Sequence, residues 1–124
     1  MSATAAYQAL RLRARARTSP PGTMNKLEAA WALQLEAMKQ DGTLRSYAYE
    51  AITFKLAHDL RYTPDYLLIW HDGEVSLDEC KGFQREKNMA KLRMAARLFP
   101  FFRFRLIRKG KRGEPTWSVE EIST

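Results

Sequence analysis

Two stretches of the chain space their apolar residues three and four positions apart, which is the spacing of an amphipathic helix. In residues 24–40 the apolar stripe consists of Met24, Leu27, Trp31, Leu35 and Met38. In residues 84–98 and directly after them it consists of Met89, Leu92, Ala96 and Phe99. Each stretch therefore predicts a helix with one face packed on a core, and Asp41-Gly42 ends the first helix.

The segments between and after these helices have the patterns of β-strands. Residues 46–57 and 102–108 alternate apolar and polar side chains, whereas residues 65–70 are almost continuously apolar and predict a central strand. Residues 74–81 predict its hairpin partner, and residues 117–122 predict a short last element.

The order of these elements predicts how the sheet is built. The first three strands can form an antiparallel meander, whereas the last strand follows a helical crossover, which favours parallel pairing with the strand before it. The sequence thus predicts the α/β class, with a mixed central sheet flanked by helices and an αβββαβ core.

The chain of 124 residues is long enough for one domain with a buried core. Residues 1–23 hold four arginines and no acidic residue, which predicts a flexible basic tail before a domain at 24–124. The tail lacks the apolar segment of a secretory signal, and no apolar run approaches the ~20 residues of a membrane span. The single cysteine, Cys80, excludes an internal disulfide, so we expect a cytoplasmic location.

The net charge of +7 is unevenly distributed along the chain. Between Asp41 and Glu79 there are eight acidic and three basic residues, whereas between Lys81 and Arg112 there are twelve basic residues and one acidic residue. An acidic segment followed by a basic one suits a site that binds a cation beside a polyanion such as DNA. A solvated basic surface without a partner explains the same charges equally well.

The hairpin of residues 65–81 contains the candidate chemistry. Glu79 and Lys81 are two apart on one strand, so both leave the same face, while Asp78 and Cys80 leave the other. The turn brings the start of one strand near the end of its partner, so Asp65 can approach Glu79. Two carboxylates, with waters and the Cys80 backbone carbonyl, meet the oxygen-rich demand of Mg²⁺ or Mn²⁺, and Lys81 supplies a cation beside them.

This arrangement resembles the PD-(D/E)XK nuclease superfamily, which has the restriction-endonuclease-like fold. The residues that match are Pro64-Asp65, then, after thirteen residues, Glu79-Cys80-Lys81-Gly82. The order of elements is most similar to small phage endonucleases and archaeal-type Holliday-junction resolvases. The resemblance implies Mg²⁺-dependent cleavage of DNA, often by a homodimer, but it does not fix the DNA structure that is cut. We expect an endonuclease of phage or mobile-element DNA that acts on junctions or branches. Many members add a glutamate from the first helix, and Glu28 stands at that place.

Several interpretations stay open from the sequence. A salt-bridged surface hairpin can carry the same three residues, and Asn25-x-x-Glu28 is also the pattern of a helix capping box. The chain can equally be a non-catalytic basic DNA-binding module on the same fold, and nothing in it distinguishes RNA from DNA.

Basic residues that follow the hairpin are candidates for contact with DNA phosphates. Arg85, Lys87 and Lys91 lie on the second predicted helix, and Arg103 and Arg105 lie on the strand after it. Their spacing does not suggest base reading, so it predicts backbone contact and a structure-selective enzyme. A solvated helix face is the alternative for the first three.

Overall fold

The computed structural model describes residues 24–82, 87–110 and 116–123. The predicted tail at 1–23 and the candidate DNA contact Arg85 lie outside these residues, and of Lys87 only the backbone is described. The helices are α1, Lys26–Gln40, and α2, Lys87–Leu98. The strands are β1 Leu44–Tyr49, β2 Phe54–Ala57, β3 Leu60–Tyr62, β4 Tyr66–Trp70, β5 Val75–Cys80, β6 Arg103–Lys109 and β7 Trp117–Glu121.

Five of these strands form one mixed sheet in the order β1-β4-β5-β6-β7. The pairs β1–β4, β4–β5 and β6–β7 are antiparallel, whereas β5 and β6, which α2 connects, are parallel. The predicted α/β class, the antiparallel meander and the parallel crossover are therefore confirmed. In the described part of the chain, neither helix is long and apolar enough to cross a membrane.

The prediction of one strand over residues 46–57 is wrong. Strand β1 pairs with β4 from Leu44 opposite Trp70 to Tyr49 opposite Tyr66, which uses the whole length of β4. Directly beyond Tyr49, the N–H of Glu50 donates to the carbonyl of Asp65 at 2.8 Å, and there the chain turns away from β4 at Glu50, whose φ is +45°. The alternating residues further on form β2, which pairs with β3 in a separate two-stranded sheet, the β2–β3 hairpin.

Both faces of the main sheet are buried, which explains why β4 is almost continuously apolar. On one face α2 and the β2–β3 hairpin cover a core that includes Leu67, Ile69, Leu77, Phe104 and Leu106. On the other face α1 covers a core that includes Leu44, Tyr66, Leu68, Cys80 and Ile107. The predicted alternation of β5 is confirmed, since Leu77 and Cys80 belong to different cores.

A buried ion pair lies beneath α1, where Asp78 of β5 stands opposite Arg105 of β6. Arg105 donates from Nε to Asp78 Oδ1 at 2.8 Å and from Nη2 to Oδ2 at 3.0 Å, and the Trp31 indole donates to Oδ2 at 2.9 Å. Burial raises the pKa of Asp78. The positive charge and hydrogen bonds of Arg105, and the hydrogen bond from Trp31, favour the ionised carboxylate and oppose that rise. Through Asp78, the residue that precedes Glu79, these bonds connect β5 to Arg105 of β6 and to Trp31 of α1.

Removing one member of this pair should destabilise the protein far more than removing an exposed pair. Arg105→Met leaves the Asp78 charge buried without its partner, so we expect a loss of about 3–5 kcal/mol in the free energy of unfolding. Arg103→Met, two positions away on the same strand, breaks only exposed pairs with Glu74 and Glu121 and should cost about 0–1 kcal/mol. Urea denaturation measures both, and equal losses would contradict the assignment.

Candidate functional site

Asp65 stands immediately before β4 and reaches the end of β5. Its Oδ2 accepts a hydrogen bond from the backbone N–H of Cys80 at 2.7 Å. Tyr66 pairs with Asp78, so the next step along this antiparallel register brings Asp65 beside Glu79. The structure thus brings together the two carboxylates that the sequence predicted to meet.

Glu79 is buried, with 7% of its surface exposed, and the β2–β3 hairpin helps to hold it. The hydroxyl of Tyr62 donates to Glu79 Oε1 at 2.7 Å, and Tyr62 is itself 4% exposed. A buried donor on one carboxylate oxygen restricts the rotation of the whole group. Tyr62 therefore fixes the orientation of Glu79.

Glu28 has two roles at once. Its Oε1 accepts the backbone N–H of Asn25 at 3.0 Å while Asn25 Oδ1 accepts the N–H of Glu28 at 2.8 Å, so the capping-box interpretation is confirmed. The same Oε1 accepts the hydroxyl of Tyr49 at 2.9 Å, and the charge of Glu28 contributes to the raised pKa of Asp65. The cap consequently sits at the border of the carboxylate pair.

The three carboxyl groups share a partly dry site in which their charges oppose one another. Burial and then the charge of Glu79 raise the pKa of Asp65 to about 9, and Glu28 adds to the rise, whereas the Cys80 N–H opposes it. Burial and the charge of Glu79 also raise the pKa of the Tyr62 hydroxyl. Such a site disfavours ionised Asp65 and would be relieved by a cation.

The donor set fits a hard divalent cation. Mg²⁺ uses one or two protein carboxylates and keeps several waters, so Asp65 and Glu79 are sufficient as a pair. No group of three or more His, Cys, Asp or Glu side chains within the described ranges is already arranged around one point. The Cys80 thiol packs into the core beneath α1, so it does not compete for the ion.

Lys81 directly follows β5 and continues its pairing. Its backbone N–H donates to the carbonyl of Ile107 at 2.9 Å, and the residue is half-buried. Two positions after Glu79 in this extended segment, Lys81 lies on the same side of the strand as that carboxylate.

The structure contradicts one of the two predicted DNA contacts on β6, Arg105. Arg105 is 8% exposed and engaged with Asp78, and its guanidinium lies 4.9 Å from the Trp70 ring centroid, so it cannot reach a phosphate. Arg103 is exposed but bonds Glu121 at 2.6 Å and Glu74 at 2.7 Å. Lys91 is half-buried on α2.

The sequence pattern did not predict Tyr62 or Tyr49 as residues of the site. Both reach a site carboxylate through contacts between residues 17 and 21 positions apart. Tyrosine is common in strands as a core residue, so no local spacing separates these two from the others.

Neither a protein-family model, nor a curated protein, nor a solved structure matches this chain.

The raised pKa of Asp65 predicts how stability depends on pH without divalent cations. Folded Asp65 keeps its proton up to higher pH than the unfolded residue, whose pKa is about 3.9. Unfolding then releases a proton between pH ~4 and ~9, so the free energy of unfolding should fall as pH rises through this window. Asp65→Asn should flatten the fall and stabilise the protein by about 0.5–2 kcal/mol at pH 8.

Chemical denaturation in EDTA across pH 5–9 measures this effect. Asp59→Asn is the matched control, because Asp59 lies exposed in the β2–β3 turn. A pH dependence that both substitutions leave unchanged would refute the electrostatic description of Asp65.

Proposed function

We propose that this chain is a divalent-metal-dependent DNA endonuclease of the PD-(D/E)XK type, in which Asp65 and Glu79 hold Mg²⁺ or Mn²⁺. The observation that carries the proposal is the meeting of these two carboxylates where β4 begins and β5 ends. The five-stranded mixed sheet, with α1 before it and α2 as the crossover, is compatible with the restriction-endonuclease-like fold.

Each residue has a distinct part in this proposal. A bound divalent ion supplies polarisation of the scissile phosphate and a more acidic water. Tyr62 and the Cys80 N–H orient the two ligand carboxylates, and Glu28 positions the attacking water from the end of α1. Lys81 stabilises the negative charge that develops on the phosphate oxygens during attack.

The proposed substrate is branched DNA, such as a Holliday junction, in phage or mobile-element DNA processing in the cytoplasm. Resolving a symmetric junction requires two cuts, and each chain supplies one site, so the proposal includes a homodimer with twofold symmetry. Sedimentation velocity should show a dimer with or without junction DNA. Only monomer under both conditions would remove the dimer from the proposal.

Substitution of the site residues should abolish cleavage without abolishing DNA binding. We expect Asp65→Ala and Lys81→Ala each to reduce nicking of a four-way junction and of supercoiled plasmid at least ~100-fold in Mg²⁺ or Mn²⁺. EDTA should abolish cleavage, and the exposed-site control Asp59→Ala should cut normally.

Two results would contradict this proposal. Cleavage by Asp65→Ala at the wild-type rate would place the chemistry elsewhere. Wild-type protein that shifts DNA but cuts it in neither metal would favour the non-catalytic binding module.

Loss of the Tyr62 hydroxyl should weaken metal binding more than it weakens the fold. Tyr62→Phe keeps the buried ring and removes only the donor to Glu79 Oε1, so we expect ~10-fold weaker Mn²⁺ affinity by thermal-shift titration. Tyr47→Phe removes a similar 2.7 Å bond, to Glu36 Oε1, and should leave Mn²⁺ affinity unchanged. A lower Tm with normal Mn²⁺ affinity in Tyr62→Phe would show that Tyr62 acts only in packing.

A further inference from the structure

The β2–β3 hairpin presents two basic side chains directly opposite each other. Lys55 of β2 and Arg61 of β3 are partners in the strand register, and both are exposed. Their neighbours Phe54 and Tyr62 are also partners and are buried. The hairpin therefore turns an apolar face to the core and a basic face to solvent.

Neither member of this basic pair has a direct partner among the described side chains. Neither Lys55 nor Arg61 makes an ion pair or side-chain hydrogen bond with any residue in the described ranges. Like charges at directly opposed positions of a hairpin repel and destabilise it, and a shared anion removes that repulsion. Ala57 is the other exposed residue of β2, and its small side chain leaves space beside Lys55 on the basic face.

The pair is also tied to the candidate site through the chain. Arg61 precedes Tyr62, whose hydroxyl holds Glu79, and it stands four residues before Asp65. Four extended residues span at most ~14 Å between Cα atoms. Since one DNA strand advances ~3.4 Å per nucleotide along the duplex axis, this distance corresponds to about four nucleotides.

We propose that Lys55 and Arg61 form a phosphate-binding pair that holds the DNA backbone within about four nucleotides of the bond that is cut. The placement of the cut rests on the proposed function, whereas the binding of phosphate does not. Lys55 and Arg61 provide positive charges that are not already paired with another described residue, whereas Arg103 and Arg105 of β6 form ion pairs with acidic neighbours. Phosphates are contacted without reading bases, in agreement with a structure-selective enzyme.

The test is the salt dependence of DNA binding by the double variant Lys55→Gln/Arg61→Gln. Binding of a fluorescent duplex and a four-way junction is measured by anisotropy in EDTA, from 50 to 300 mM KCl, in an Asp65→Asn background. Each lost phosphate contact lowers the slope of log affinity against log salt by about 1, so we expect a decrease of about 2.

The matched control is Arg93→Gln/Arg97→Gln, which removes the same two charges from exposed positions on α2. This control should change the slope little. An unchanged slope in the hairpin variant, or equal decreases in both variants, would overturn the proposal, because the first excludes contact and the second indicates a net-charge effect. A decrease seen with an RNA duplex but not with DNA would also overturn it.

A second variant guards against misfolding. Lys55→Arg/Arg61→Lys keeps both charges and should retain the wild-type slope, whereas a loss equal to that of the glutamine variant would show that the hairpin is disturbed and would overturn the proposal. The nuclease proposal fails separately. Wild-type protein that never cuts DNA, combined with the expected hairpin-dependent slope, would reject the enzyme and retain the phosphate-binding pair.

Discussion

The site depends on one hydrogen bond, from the backbone N–H of Cys80 to the carboxylate of Asp65. It joins Asp65, the residue immediately before β4, to Cys80, the last residue of β5. The Asp65 carboxylate is thereby held where these two buried strands lie side by side. With it in place, Asp65 and Glu79 share a partly dry space in which their charges repel. This repulsion opposes the ionised form of Asp65, and in the proposed function a bound cation would relieve it.

The adjacent residues Asp78 and Glu79 of β5 point to opposite faces of the sheet, and both faces are covered. Asp78 points beneath α1 and is neutralised by Arg105, which anchors the strand. Glu79 points the other way and meets Tyr62 from the β2–β3 hairpin. A buried ion pair on one face therefore lies next to the carboxylate pair, and the β2–β3 hairpin contributes the donor to Glu79.

The sequence predicted the sheet well where the pattern was local. The apolar run of β4, the alternation of β5 and the helical crossover before β6 each follow from side-chain spacing. The strand at 46–57 was wrong because its end depends on the length of β4, which the segment itself does not contain. Arg105 was misassigned because charge counts do not reveal a buried acidic partner on a parallel strand, and Tyr62 was missed because its contact with Glu79 is long-range.

Direct measurement of metal binding without DNA tests the central claim that Asp65 and Glu79 form a cation site. Isothermal titration of Mn²⁺ into wild-type protein, Asp65→Asn and the exposed control Asp59→Asn separates this site from surface binding. We expect one Mn²⁺ per chain in the wild type and the control, and none in Asp65→Asn. Equal binding by all three proteins, or no binding by the wild type at millimolar Mn²⁺, would contradict it.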